Sequence, residues 1–306
     1  MGGDCIESQL VKISDLRKVP GIGKKTIERI KETIKRDHGD TYISKYNKKL
    51  HLGANQIYHG DCLELMNGIP DKSIDMILCD LPYGTTDCSW DKVIPFEPLW
   101  EQYERIIKDN GIIALFGSEP FSTTLRMSNF KLYRYDWYWV KSKAGLYQHA
   151  KNRPMKAIET ISIFSKAKWG HKSQVKNRMP YNPQGITSIG EKTVTKNFNA
   201  GGTVGERPNQ VGKKYEAFTG FPNDVLKFAN VIGKQAIHST QKPTDLLEFL
   251  IKSYTDECEL VLDNCMGSGS TAIACINTNR NYIGIELDEK YCKLAKNRVN
   301  EHISNL

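Results

Sequence analysis

From about residue 55 onward, short apolar strands alternate with amphipathic helices. That alternation predicts an α/β protein with helices on both faces of a layered sheet. Two local features agree: a glycine-rich strand-turn-helix, ELVLDNCMGSGSTAIACI at 259–276, and a following strand, NYIGIEL at 281–287, that ends near Glu286. The 306 residues suffice for one large or two modest domains with a real core.

The first 40 residues read as two helices around PGIG: SDLRKV before it and KKTIERIKETIKR after it. Gly21 and Gly23 allow positive φ and expose consecutive amide N–H groups at a helix start, which suits a phosphate oxygen, and Lys24 and Lys25 add charge there. Next come QIYHGDCLELM (strand, turn, helix), SIDMILCDLPYG (strand, loop), PFEPLWEQYERIIKDN (helix to Asn110) and GIIALFGSEP (strand). FSTTLRMSN reads as a helix, and YRYDWYWVKS and IETISIFSK read as strands. Residues 166–236, with prolines at 180, 183, 208 and 222, lack periodicity and read as a long functional insertion. The helix TDLLEFLIKSYT resumes the alternation, which runs on to the C-terminal helix.

Charge is uneven. The net +8 is concentrated in residues 1–51, with twelve Lys and Arg against seven acids, and in residues 166–216, with ten against three. Two basic appendages on a mildly acidic body suit an enzyme that binds a polyanion. No apolar run approaches the roughly 18 residues of a membrane span, so no membrane association is expected. MGGDCIESQL lacks a secretory pattern, which points to the cytoplasm. Eight dispersed cysteines with no C-x-x-C pair read as reduced, mostly buried thiols, and no metal site is expected.

Chemistry concentrates at two strand ends. After the strand ending at Asp263, Gly267 and Gly269 let a nucleotide approach the backbone, and Glu286 on the next strand is placed for a ribose diol. The absence of G-x-x-x-x-G-K-[ST] disfavours a nucleoside triphosphate, so an adenosine-containing cofactor is expected. The second end is CDLPYG, residues 79–84: a carboxylate, a proline turn and an aromatic at the mouth of a sheet.

DLPY at 80–83 and DNCMGSGS at 263–270, together with GDC at 60–62 and HSTQKP at 238–243, resemble the motifs of the beta group of amino-group DNA methyltransferases, in that group's order, across about residues 54–300. VPGIGKKTIERI resembles a helix-hairpin-helix element. The resemblance implies a Rossmann-like S-adenosylmethionine-dependent fold, with four segments: a DNA-binding element at 1–50, a catalytic half at 54–165, a target-recognition insertion at 166–236 and a cofactor half at 237–306. It implies S-adenosylmethionine as donor and a base flipped out of duplex DNA as acceptor, and it leaves open a restriction endonuclease partner and a homodimer.

Under that resemblance Asp80 and the Leu81 carbonyl accept hydrogen bonds from the target amine, Pro82 shapes the loop and Tyr83 stacks on the base. Leu81 stands where the family has proline, which bears on loop stiffness. The cofactor set comprises Asp61, Cys62, Asp263, Asn264, Met266, Gly267, Ser268, Gly269, Glu286 and Leu287. Asp61 is expected on the methionine amine, Lys242 on its carboxylate with His238 and Thr240 beside it, and Met266 against the adenine. Lys166, Lys168, Lys172, Lys176 and Arg178 are expected on phosphates, with Asn177, Gln184, Asn197 and Gln210 as candidate base readers. Trp169 and Tyr181 are expected either to stack or to form a local core. Asp75, Asp87, Asp91 and Glu119 are assigned no catalytic role, Asp91 being a turn cap, and Cys79 and Cys88 are packing residues. Adenine N6 is the expected acceptor. The alternatives are cytosine N4, an inactive nucleic-acid-binding homologue and an RNA methyltransferase.

Overall fold

The computed structural model describes residues 52–86, 91–170, 177–195, 211–231 and 241–306. The chain divides into two units, 1–50 and 51–306. The hairpin residues Gly21, Gly23, Lys24 and Lys25 lie in the first, outside the described residues.

In chain order the second unit contains β1 (Gln56–His59), α1 (Cys62–Leu65), β2 (Ile74–Cys79), α2 (Phe96–Ile106), β3 (Ile107–Gly117), α3 (Phe121–Ser128), β4 (Tyr133–Gly145) and β5 (Lys156–Phe164). These are followed by β6 (Thr187–Thr193), β7 (Lys214–Thr219), β8 (Val225–Phe228), α4 (Thr244–Tyr254), β9 (Leu260–Asp263), α5 (Ser270–Asn277), β10 (Asn281–Glu286) and α6 (Glu289–Ser304). Eight strands form one sheet in the order β1-β10-β9-β2-β3-β5-β4-β8. Only β5 runs against the rest, pairing antiparallel with both β3 and β4.

Both faces of the sheet are covered, which is why its central strands read as continuous apolar runs. Along β2, Met76 and Leu78 enter one core with α4, α5 and α6, while Ile77 and Cys79 enter the other with α2 and α3. β3 alternates likewise, Ala114 and Phe116 against Ile113 and Leu115. Leu78 is fully buried, so truncating it to alanine would cost about 2–5 kcal/mol.

α2 buries Leu99, Trp100, Tyr103 and Ile106 at helical spacing. It ends at Ile106 rather than Asn110, because the chain turns extended there: Ile107 enters the core and Lys108 Nζ pairs with Asp75 at 2.5 Å. The extra residues are absorbed as a bulge, with Ile74 opposite Ile107 and Met76 opposite Ile112.

Part of the expected insertion belongs to the main sheet. β8 lies at its edge, with Tyr138 paired to Val225 and Lys141 to Phe228. Four residues carry too little periodicity to announce such a strand. β6 and β7 form a separate antiparallel hairpin, and β6 is exposed throughout. Among the described residues no helix is long and apolar enough to cross a membrane.

Candidate active site

Adjacent strands deliver the two expected loops to one rim. β2 and β9 are parallel neighbours with Ile77 paired to Leu262, so Asp80, just beyond β2, emerges beside Asp263 at the end of β9. Gly284 pairs with Asp263, which brings the end of β10, Glu286, to the same rim. A narrow cavity there is lined by Asp80, Lys242, Asp263, Met266, Gly267 and Ser268, among others.

The turn after β9 is built around two buried carboxylates. Asp263 accepts from the Cys265 amide at 3.0 Å and from Thr271 Oγ1 at 2.6 Å. Burial outweighs these bonds and pushes its carboxyl up to about 6. Glu286 Oε2 accepts from the Gly267 amide at 2.7 Å and Oε1 from the Asp288 amide at 2.8 Å, and burial raises this group too. Gly269, at φ +80°, starts α5, and a Cβ there would meet Ala295 at 3.2–3.3 Å. Arg298 of α6 donates to the Ser268 carbonyl at 2.9 Å, tying the turn down. Met266 lines this rim cavity. It is buried over Gly284, where an added Cβ would fall 2.5 Å from Met266 Cε, because the missing side chain on β10 leaves room for it.

A neighbouring cavity of about 280 Å³ is lined by Asp61, Cys62, Asn264, Gly267, Glu286 and Leu287, among others. Asp61 caps α1, its Oδ1 accepting from Leu63 N at 2.8 Å and Glu64 N at 3.3 Å. The two cavities share Cys265 and Gly267, so an elongated ligand can span them across the glycine turn. A backbone cradle, a carboxylate at one end and a cation at the other fit a nucleoside carrying an amino-acid tail. Asp61 and Lys242 do not share one end, however. His59 pairs with Glu286, which places Asp61 beside the Glu286 end, whereas Lys242 lies with Asp80 just before α4. His238 and Thr240 lie outside the described residues.

The DLPY loop is braced by Asp91, which accepts from the amides of Gly84, Thr85 and Thr86 at 2.7–2.9 Å and from Thr86 Oγ1 at 2.7 Å. Burial opposes its charge, but these four bonds prevail and hold its carboxyl below the ordinary value. Leu81 is buried in the core, so packing and the Asp91 brace stiffen the loop where the family proline is missing. Tyr83 Oη donates to Asp80 Oδ1 at 2.6 Å, and its ring stacks on Phe121 at 4.9 Å and 26°.

Three residues of this pocket escaped sequence reasoning. Glu159, Lys141 and Trp139 line, with Asp80, Pro82 and Tyr83, a cavity of about 170 Å³. Lys242 Nζ donates to Asp80 Oδ2, lies 3.5 Å from Glu159 Oε2 and sits 5.0 Å over the Phe116 ring. Burial works against its charge, yet Asp80 and then Glu159 hold the ammonium above its ordinary value. Glu159 is also buried, and Lys242 and Lys141 hold its carboxyl low. The available signal was a lone acid inside the apolar run IETISIF.

Cys79 is buried and its thiol raised well above the ordinary value, while burial and Cys265 push the cavity-lining Cys62 up to about 12, so both thiols are protonated. Cys88 and Asp87 lie outside the described residues.

The basic residues expected on DNA divide. Lys172 and Lys176 lie outside the described residues, as do Asn197 and Gln210. Lys166, Lys168 and Arg178 lie at the opposite end of the sheet from the rim, because β5 runs antiparallel and leaves the sheet there. Lys166 Nζ donates to the Glu104 carbonyl at 2.5 Å, Ser165 Oγ to Gly111 O at 2.8 Å, and Asn177 to Asp109 O at 3.1 Å. Gly117 at the rim lies six residue steps along β3 from Gly111, roughly 20 Å of strand. Gln184 donates to Asn182 O, and Tyr181 lies 6.1 Å from the Tyr254 ring, while both Tyr181 and Trp169 are exposed. The rim carries a different basic segment. The end of β4 and the β4–β5 connection hold Lys143, Lys151 and Arg153 in exposed positions around Tyr147, which is 79% exposed, with no acid between Asp136 and Glu159.

Comparison with known proteins agrees with this architecture. A family of DNA methylases, N6_N4_Mtase, matches residues 74–297. The type II methyltransferase M1.MboII of Moraxella bovis is 28% identical over 267 residues, covering 82% of this chain and 98% of that protein. M.HinfI of Haemophilus influenzae is 29% identical over 275 residues, covering 81% and 68%. Among solved structures, the M1.HpyAVI–SAM complex superposes with a TM-score of 0.52 at 24% identity, covering 80% of this chain and 98% of that one. The cytosine-N4-specific PvuII DNA methyltransferase gives 0.54 at 16% identity, covering 84% and 94%. The family match spans most of the chain, both catalytic-loop and glycine-turn motifs included, and this protein belongs to the N6/N4 DNA methylase family.

Proposed function

We propose that this DNA methyltransferase transfers a methyl group from S-adenosylmethionine to the exocyclic N6 amine of adenine in duplex DNA. One observation carries the reading: Asp80 and the glycine turn stand on neighbouring strand ends and line one cavity.

Gly267, Gly269, Asp61 and Glu286 are the residues that would hold the donor, and bound there it supplies an electrophilic sulfonium methyl. The rest falls to the chain. An exocyclic amine is a weak nucleophile because its lone pair is delocalised into the ring. Asp80 and the Leu81 carbonyl accept hydrogen bonds from its two N–H groups, favouring a pyramidal nitrogen and stabilising the positive charge that builds on it until one of the two protons leaves for solvent. Both Asp80 oxygens already accept one bond, from Tyr83 and from Lys242, and each retains a lone pair. Tyr83, held on Phe121 by one face, offers the other to the extruded base.

Adenine is favoured by the resemblance of DLPY to adenine-type tetrapeptides; cytosine N4 would use the same acceptor pair. The basic β4–β5 connection at the rim, and residues 1–50 as a hairpin element, would supply phosphate contacts. Nucleoside mass spectrometry of duplex DNA incubated with the protein and S-adenosylmethionine should show N6-methyladenine. N4-methylcytosine instead would establish the cytosine alternative.

A further inference from the structure

Four charged side chains of alternating sign form a row along the wall of the base pocket: Asp80, Lys242, Glu159 and Lys141. Lys242 bridges Asp80 Oδ2 and Glu159, and Lys141 Nζ donates to Glu159 Oε1. Glu159 is buried, and its Oε2 accepts no hydrogen bond among the described residues. A carboxylate is costly to bury unless it is paired, and two lysines pair with this one. Its two lysines use it in different ways. Lys242 is itself buried and spends its charge on Asp80. Lys141 ends the row, its Nζ 5.3 Å from the Trp139 ring, and the ammonium's only hydrogen bond among the described residues is to Glu159. An ammonium has three protons. The cavity thus presents an acceptor, Asp80, at one end of the row and a donor, Lys141, at the other.

Adenine and cytosine each carry an amine next to an unprotonated ring nitrogen, a donor beside an acceptor. Thymine and guanine carry a carbonyl beside an N–H, the reverse pair. An acceptor and a donor fixed in one pocket match the first two and oppose the last two, since a mismatched pair leaves buried polar groups unsatisfied. We propose that Lys141 is a specificity-determining residue that donates to the ring nitrogen beside the target amine. Glu159 is then the positioning residue that anchors its ammonium. The inference rests on the amine-methylation reading above.

The test uses the full chain in single-turnover reactions on duplexes carrying either the normal target base or its analogue with that ring nitrogen replaced by C–H. The analogue is 1-deazaadenine, or 3-deazacytosine if nucleoside analysis identifies cytosine. Wild type should methylate the analogue about 10- to 100-fold more slowly, the worth of a charged hydrogen bond. Lys141→Met should slow the normal base by a similar factor and the analogue by less than about threefold, because the analogue cannot accept that hydrogen bond from either protein. Glu159→Gln should erode the wild-type preference for the normal base and Glu159→Asp should restore part of it. A wild type indifferent to the ring nitrogen, or a Lys141→Met penalty equal on both bases, would overturn the proposal, and the first needs no variant to fold. A wild type that methylates neither normal base would instead overturn the reading on which it rests.

Discussion

Tyr83 Oη donates to Asp80 Oδ1 at 2.6 Å while its ring lies on Phe121, so one side chain both touches the acceptor carboxylate and forms part of the wall beside it. Removing the hydroxyl separates these roles. Tyr83→Phe should keep methyl transfer within about threefold of wild type, since it deletes one hydrogen bond to the carboxylate and leaves the ring in place. Tyr83→Ala should weaken retention of the extruded base by about tenfold or more, in line with the ~1–3 kcal/mol of a base–aromatic stack. Fluorescence of 2-aminopurine at the target position reports this directly, and equal behaviour of the two variants would exclude stacking.

Asp263 makes stability depend on pH in a defined direction. Its folded carboxyl is raised to about 6 from an ordinary 3.8, so it favours the folded state when protonated. That contribution is complete below about pH 4 and is lost as pH rises through about 6; the full swing is on the order of 3 kcal/mol. Asp263→Asn removes the titration. The stability of the variant relative to wild type should therefore improve between pH 4 and 7.5, measured by urea unfolding at each pH. A difference that stays flat would place the carboxylate in a wetter setting.

Gly269→Ala tests the cradle. At φ +80° a side chain costs about 1–3 kcal/mol, and its Cβ would press on Ala295 at 3.2 Å. Calorimetric affinity for S-adenosylmethionine should fall at least about tenfold, with a lower unfolding temperature. Unchanged affinity would show that the donor lies elsewhere.

Much of this site could be read along the chain because its parts are contiguous motifs at strand ends. The strand-turn-helix at 259–276 and the loop at 79–84 announce themselves through glycines, a proline and a closing acid, and parallel pairing of β2 with β9 brings them together. The turn-capping role of Asp91 was legible for the same local reason. Positions that depend on long-range register were not. Whether Lys166 faces the rim depends on the direction of β5, and β8 gains its place only by pairing with β4. Glu159 and Lys141 come from separate strands, and no local pattern says that they meet.

The register also assigns different roles to two basic groups. Lys151→Ala with Arg153→Ala, at the rim, should lower the slope of log affinity for duplex DNA against log salt by about 0.9 for each phosphate no longer neutralised. Lys166→Ala with Lys168→Ala, at the far end, should leave that slope unchanged. The opposite pattern in a salt titration would move the DNA to the other pole of the sheet.

Asp80→Ala tests the whole account most directly, in a single-turnover methylation assay paired with calorimetric titration of S-adenosylmethionine. Transfer to duplex DNA should fall by about 10²–10³ or more, as when a preorganised electrostatic contact is removed, while donor affinity stays within a few-fold. Methyl transfer at the wild-type rate by this variant would contradict the assignment of the rim as the site of chemistry.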